Sequence, residues 1–196
     1  MNLPNTLTVL RIVLTPVFLV TLFSTAWYAK AAAFLVFVAA SLTDFYDGRL
    51  ARAGNQVTAT GRFLDPLADK ILVTSALVAL VCYRVVSAWL VVPVVVRDLA
   101  IMAMRVHALA HGRQLVTSRF AKWKTALQLV SVVFLLFVLA VQSVMERFHP
   151  GAVPWLGEGG LRVVGNGLMA AALLLTVMSG LQYLVGARFV RNGSSV

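Results

Sequence analysis

Long apolar runs alternate with short polar segments along almost the whole chain. An apolar helix needs roughly 20 residues to cross about 30 Å of hydrocarbon. By this measure the sequence predicts six membrane-spanning helices, with the second continuing past its apolar part into a polar motif. The predicted spans are residues 12–29, 31–42, 66–86, 88–108, 125–145 and 163–187. The pattern is typical of an all-α integral membrane protein with one domain over residues 1–196.

Composition agrees with a membrane protein. The chain is 60% hydrophobic and 12% charged, and its mean hydropathy is +0.89, which lies outside the soluble globular range. Its one cysteine, Cys82, excludes an internal disulfide, and we expect it to be buried as a small apolar residue. The net charge of +10 is better explained by cytoplasmic loops and anionic lipid headgroups than by nucleic acid, so no nucleic-acid partner is expected.

The basic residues divide unevenly between the two predicted membrane surfaces. With the N-terminus inside, twelve cations fall on one side and four on the other, as the positive-inside rule requires. The acidic motif described next then faces the cytoplasm, and a bacterial inner membrane fits such a multi-pass chain. The larger set is Arg11, Arg49, Arg52, Arg62, Lys70, Arg105, Arg113, Arg119, Lys122, Lys124, Arg188 and Arg191; the smaller is Lys30, Arg84, Arg147 and Arg162.

Four of the seven acidic residues lie close together in sequence: Asp44, Asp47, Asp65 and Asp69. Each pair has helical spacing, i to i+3 and i to i+4, so each pair shares one helix face. The two helices are consecutive, and we expect their cytoplasmic ends to bring all four carboxylates together. Because like charges raise the cost of ionisation, a cation must compensate them. Oxygen ligands alone favour Mg²⁺ or Mn²⁺.

A purely structural alternative is a set of interhelical salt bridges at the helix ends. Surface ion pairs of that kind contribute little to stability. Two glycines, Gly48 and Gly61, lie in the motif helices at a cost of about 1 kcal/mol each relative to alanine, which indicates a close approach by a ligand or a neighbouring backbone. The planar fork of Arg52 suits a phosphate. The cations available for the structural alternative are Arg49, Arg52, Arg62 and Lys70.

The spacing D-x2-D-G-x2-A-R-x8-G-x3-D-x3-D resembles the signature of the CDP-alcohol phosphotransferases, membrane enzymes of phospholipid synthesis. It is complete in this chain, from Asp44 to Asp69. The resemblance implies six transmembrane helices, a homodimer and two divalent ions held by Asp44, Asp47 and Asp65. It implies that Asp69 shares one ion or acts as the general base. It also implies a nucleotide pocket lined by Gly48, Ala51, Arg52 and Gly61.

The same resemblance implies CDP-diacylglycerol as the donor, with in-line substitution at phosphorus and departure of CMP. Further stretches are similar to a subgroup whose acceptor is sn-glycerol 3-phosphate: the N-terminal segment up to Arg11 with Pro16, residues 97–105, residues 121–125 and residues 182–188. One departure is Asp98, where that subgroup leads us to expect glutamate. The shorter acid would shift any arginine that it orients.

Clustered cations fit an acceptor that carries a phosphate. Arg97 lies in the middle of an apolar segment, where an arginine is costly unless it faces a polar cavity or a partner. Asp98 follows it at about 100° around the helix. For the other cations, membrane topology and lipid headgroups are the competing explanation. The predicted acceptor-phosphate ligands are Arg97, Arg105, Lys124, Arg113 and Arg119.

Three alternative functions are compatible with parts of this pattern. Two keep the same donor and change the acceptor, to phosphatidylglycerol or to an inositol phosphate. A third is a divalent-cation transporter, but such a protein would more naturally hold its carboxylates near the bilayer midplane on broken helices. Two histidines, His107 and His111, have i, i+4 spacing without acids nearby, and we interpret them as an interfacial pair rather than metal ligands.

Overall fold

The structure is a computed structural model that describes the backbone of residues 3–53, 59–110, 119–149 and 158–192. Side chains are described for residues 9–43, 68, 70–104, 106–107, 123–149 and 159–178. Within the described backbone the chain forms six α-helices and no strand, which confirms the predicted all-α class. They are α1 (Leu3–Phe23), α2 (Ala29–Ala53), α3 (Ala59–Cys82), α4 (Ala88–Ala110), α5 (Arg119–Phe148) and α6 (Glu158–Asn192).

Two helical segments in the described part of the chain are long and apolar enough to cross a membrane, Trp123–Phe148 and Gly159–Met178. Three shorter apolar helical segments, Val9–Phe23, Ala29–Thr43 and Lys70–Cys82, accompany them. Several helices extend beyond their predicted apolar spans by polar turns, because helical hydrogen bonding continues where the hydrocarbon-like composition stops. The number of helices agrees with the sequence prediction, and six membrane crossings stay a prediction.

The helices pack as a closed ring in the order α1, α2, α5, α6, α4, α3 and back to α1. Helix α3 also contacts α5 across the ring. The interior is apolar: Phe18 and Phe37 lie with ring centroids 5.4 Å apart, and Leu77 and Leu135 are fully buried. Since lipid is as apolar as these side chains, close packing rather than hydrophobic burial holds such helices together.

The first helix ends earlier than predicted. We expected a span to residue 29, but α1 ends at Phe23 and Ala29 already begins α2. The amide of Ser24 donates to the Thr21 carbonyl at 3.2 Å, and the amide of Ala29 donates to the Ala26 carbonyl at 3.0 Å. The connecting residues carry no charge, so a span counted from Arg11 to the next charged residue, Lys30, does not detect this turn.

The third helix also ends before its predicted limit of 86. It ends at Cys82, and Arg84 adopts a left-handed backbone with φ of 58°. The amides of Arg84 and Val85 donate to the carbonyls of Val81 and Leu80 at 2.9 and 3.0 Å, which is the Schellman pattern of a helix C-terminus. The prediction that Cys82 is buried was wrong: it is exposed, because it lies on the outer side of the last turn.

Candidate active site

The four predicted metal-binding aspartates lie on two consecutive helices. Asp44 and Asp47 belong to α2, and Asp65 and Asp69 belong to α3, so both pairs keep the helical spacing that the sequence indicated. Their side chains lie outside the described residues. An all-carboxylate donor set fits Mg²⁺ or Mn²⁺.

Other predicted site residues also lie outside the described side chains. The backbone of all but one of these residues is described and is helical. They belong to α2, α3, α4 and α5. The exception is Arg113, which lies wholly outside the described residues. The residues with described backbone only are Gly48, Ala51, Arg52, Gly61, Arg105 and Arg119.

The described part of the site is organised by one buried carboxylate, Asp98 on α4, which is 6% exposed. Its Oδ1 accepts a hydrogen bond from the ammonium of Lys124 on α5 and another from Nη1 of Arg97 at 3.3 Å. Its Oδ2 accepts from Nζ of Lys70 on α3 at 3.4 Å. We call Asp98, Lys70, Arg97 and Lys124 the Asp98 cluster.

The Asp98 cluster carries three cations around one carboxylate. Lys124 is 1% exposed, and the side chains of Lys70 and Arg97 are about one-fifth exposed. A buried charge is tolerated when it is paired and hydrogen-bonded, and Asp98 supplies both for Lys124. The excess of positive charge makes the cluster attractive to an anion, and its arginine and lysine donors suit phosphate oxygens.

The Asp98 cluster is close to the acidic motif along α3. Lys70 follows Asp69 directly, a rise of about 1.5 Å along the helix axis. In the ring, α4 and α5 are not neighbours over the described residues, so the Asp98–Lys124 ion pair spans the bundle interior. The cluster therefore ties three helices together at the level of the last aspartate of the motif.

Two of the cations that the sequence proposes for the acceptor site contact the same carboxylate in the structure. Arg97 and Lys124, which are 27 positions apart in the numbering, meet at the same carboxylate. Although Asp98 is offset by about 100° around the helix from Arg97, the arginine side chain turns back to it. Lys70, considered above as a partner for the motif acids, has Asp98 as its ion-pair partner in the described part of the chain.

The burial of two polar residues was not predicted from the sequence. Arg11 on α1 is 1% exposed, whereas the sequence placed it in the cytoplasmic cation set and at the end of the N-terminal segment that is similar to the subgroup. Gln128 on α5 is 3% exposed and lies one turn after Lys124; its Oε1 has no hydrogen-bond partner in the described structure. The burial of Gln128 could have been predicted from its i, i+4 spacing to Lys124 within an apolar helix.

A groove between α1, α3 and α4 opens beside the Asp98 cluster. Its volume is about 320 Å³, and its lining is mainly apolar, including Ile71, Val78 and Leu99. Lys70 also lines it, so a cation from the cluster borders an apolar surface. This arrangement suits a molecule with an anionic end and a hydrocarbon chain.

Comparison with known proteins identifies the family. Residues 1–178 match the CDP-alcohol phosphatidyltransferase family, and the chain belongs to it. A probable phosphatidylglycerophosphate synthase of Mycobacterium tuberculosis is 36% identical over 95% of this chain and 81% of the relative. The CDP-diacylglycerol–glycerol-3-phosphate 3-phosphatidyltransferase of Escherichia coli K12 is 34% identical over 95% of both chains. The protein is thus similar to transferases of phospholipid biosynthesis along nearly its whole length.

Proposed function

We propose that this protein transfers a phosphatidyl group from CDP-diacylglycerol to sn-glycerol 3-phosphate, giving phosphatidylglycerophosphate and CMP. The Asp98 cluster is the observation that carries the choice of acceptor: two of its cations, Arg97 and Lys124, are held at one buried carboxylate and suit a small doubly charged phosphate ester. The acid motif on α2 and α3 supports the choice of donor chemistry. Of the two relatives, the mycobacterial protein is named a probable phosphatidylglycerophosphate synthase and the Escherichia coli protein a CDP-diacylglycerol–glycerol-3-phosphate 3-phosphatidyltransferase, which supports the same product and the same substrates here.

The proposed reaction is a substitution at the phosphorus that carries diacylglycerol. The acceptor hydroxyl oxygen forms a bond to that phosphorus, its bond to the CMP oxygen breaks, and Asp69 takes the hydroxyl proton. Positioning and charge neutralisation supply most of the rate in such transfers. Asp44, Asp47 and Asp65, with Asp69 sharing one ion, would hold two Mg²⁺ or Mn²⁺ ions, which supply neutralising charge to the diphosphate and to the leaving CMP.

Substrate binding is divided between two groups of residues in this proposal. Gly48, Ala51, Arg52 and Gly61 would contact the nucleotide, where small residues allow close approach and the arginine fork meets a phosphate. The acceptor phosphate would be bound by Arg97 and Lys124 together with Arg105, Arg113 and Arg119. Asp98 is a positioning residue, because it fixes the direction of Arg97 and Lys124 without needing to touch substrate.

The groove beside Lys70 offers a place for part of the donor lipid. Its apolar lining suits an acyl chain, and Lys70 suits the anionic end from which that chain extends.

The membrane arrangement that goes with this reaction is six crossings in the bacterial inner membrane, with the site facing the cytoplasm at the ends of α2 and α3. The protein would act as a homodimer in the bilayer.

The proposal is tested by CMP release from purified protein supplied with CDP-diacylglycerol and Mg²⁺. Three acceptors are compared: sn-glycerol 3-phosphate, phosphatidylglycerol and inositol 3-phosphate. Turnover with sn-glycerol 3-phosphate that is lost in Asp69→Asn and on chelation of the metal is the expected result. Turnover with only another acceptor would change the substrate, and cation flux into vesicles without CMP release would favour a transporter.

A further inference from the structure

A second cationic feature lies at the end of the bundle opposite the acidic motif. Arg84 follows Asp69 by fifteen positions, a distance of about 20 Å along a helix axis. Together with Arg162, near the start of α6, it lines a cleft of about 410 Å³. The proposed reaction uses neither arginine.

The lining of this cleft is suited to a phosphate group at a membrane surface. Its described lining includes Arg84, Arg162, Ser87 and Trp89, and none of the lining residues is acidic. Among the described residues neither arginine forms an ion pair, and each guanidinium group carries several N–H donors that suit phosphate oxygens. Trp89 is 89% exposed, and tryptophan in such a position is typical of the headgroup level of a bilayer.

The backbone beneath the cleft is fixed by α6. The amide of Ser87 donates to Oδ1 of Asn166 at 2.8 Å. The position where a Cβ of Gly165 would lie is 2.5 Å from the carbonyl oxygen of Val85, so α6 and the turn after α3 are in direct backbone contact. Arg84 and Arg162 are therefore carried on parts of the chain that are held together before any ligand arrives, which reduces the ordering cost of binding.

Arg84 occupies a backbone conformation that favours glycine. Its φ of 58° is left-handed, and a non-glycine residue there is destabilising. Arg84 keeps this unfavourable backbone conformation at the edge of a cleft, which is a reason to look for a binding role of its side chain.

We infer that the cleft between Arg84 and Arg162 binds the phosphate of an anionic phospholipid headgroup. The two guanidinium groups supply charge-assisted hydrogen bonds to the phosphate oxygens, and Trp89 and the apolar rim contact the glycerol and the upper acyl chain. This site is separate from the proposed active site and faces the bilayer leaflet opposite the acidic motif. The inference does not depend on the identity of the acceptor in the reaction.

The test is lipid retention by the intact protein, measured by native mass spectrometry after release from nanodiscs that contain either phosphatidylglycerol or phosphatidylcholine. Removal of one arginine, in Arg84→Gly or Arg162→Gln, should weaken retention of phosphatidylglycerol about fivefold, and removal of both about 25-fold. Arg147→Gln is the matched control, since Arg147 is an exposed cation at the same end of the bundle and lies outside the cleft lining; it should retain lipid like the wild type.

Three outcomes would overturn the inference. Equal retention by all variants would exclude the cleft as the site. Equal loss of phosphatidylcholine would indicate apolar contact without phosphate-charge recognition. Displacement of the lipid by excess inorganic phosphate would indicate a free-anion site. Arg84→Gly separates lost binding from misfolding, because glycine suits that backbone, and retention is measured without substrates, so failure of the proposed reaction leaves the result interpretable.

Discussion

Asp98 is the residue on which the described site depends most. It accepts hydrogen bonds from three cations, and its removal would leave Lys124 buried without its carboxylate. Breaking a buried pair in this way costs about 3–5 kcal/mol, so Asp98→Asn should lower the unfolding midpoint markedly. Thermal unfolding of the wild type and the variant in detergent measures this change in midpoint.

The same substitution should also separate positioning from folding. A displacement of Lys124 and Arg97 of about 1 Å would reduce turnover with the acceptor by up to about 100-fold, and the KM for CDP-diacylglycerol should change less, since of these cations only Lys70 is assigned to the donor. Asp98→Glu keeps the charge and should recover most of this loss. If the glutamate variant is as inactive as the asparagine variant while folding normally, a positioning role through charge is wrong.

Most substitutions lower the free energy of unfolding, but the replacement of Arg84 by glycine should raise it. Arg84→Gly should raise the free energy of unfolding by up to about 1 kcal/mol, because the left-handed φ of 58° costs an L-residue about 1–2 kcal/mol and glycine much less. Arg162→Gly removes the same charge from the interior of α6 and should instead destabilise by about 1 kcal/mol. Equal effects of both variants would mean that charge, not backbone conformation, controls stability at this end.

At the scale of elements, α6 approaches the turn after α3 too closely for a side chain. A Cβ on Gly165 would lie 2.5 Å from the Val85 carbonyl oxygen and 3.2 Å from Val85 Cγ1. Backbone cannot move aside cheaply, so Gly165→Ala should destabilise by about 1–3 kcal/mol. Thermal unfolding checks this.

Gly167 is the matched control for that contact. It lies on the same helix with no heavy atom within 4 Å of its Cβ position, so Gly167→Ala should be neutral or stabilise by up to about 1 kcal/mol through helix propensity. Similar destabilisation by both alanines would show that Gly165 is not a contact-specific position.

The elements also show where hydropathy has predictive power and where it does not. Six helices follow from six apolar runs, because the helical hydrogen bonds of a membrane segment must be satisfied internally. The ends at Phe23 and Cys82 do not follow from the lengths of uncharged runs. The turn after Phe23 contains no charged residue, and the turn after Cys82 depends on the left-handed backbone of Arg84.

At the scale of the molecule, the sequence proposes those parts of the candidate site that are local in sequence. The acidic motif is visible because helical spacing within Asp44–Asp47 and Asp65–Asp69 is a short-range property. The Asp98 cluster combines α3, α4 and α5, and nothing local predicts that Lys70 pairs with Asp98 or that Arg11 is buried. Arg97 was proposed because a cation in an apolar segment is costly, and Lys124 because of the clustered cations and the similarity of residues 121–125 to the subgroup; their shared carboxylate required the tertiary structure.

The proposed topology can be tested on the whole protein. In a Cys82→Ala background, Arg147→Cys should react with a membrane-impermeant maleimide in intact spheroplasts, and Ser194→Cys should react only after permeabilisation. This result follows from six crossings with both termini in the cytoplasm, a topology that the positive-inside distribution supports. Labelling of both sites in intact spheroplasts would require an even number of crossings, or none, between residue 147 and the tail.

The most direct measurement concerns the claim that the Asp98 cluster binds the acceptor phosphate. Steady-state CMP release by Lys124→Gln would be measured with each substrate varied in turn. We expect the KM for sn-glycerol 3-phosphate to rise about tenfold or more, as for loss of a charged hydrogen bond of about 1.5–3 kcal/mol, with the KM for CDP-diacylglycerol unchanged. A folded variant with an unchanged acceptor KM, or with an equal rise in both, would contradict the assignment.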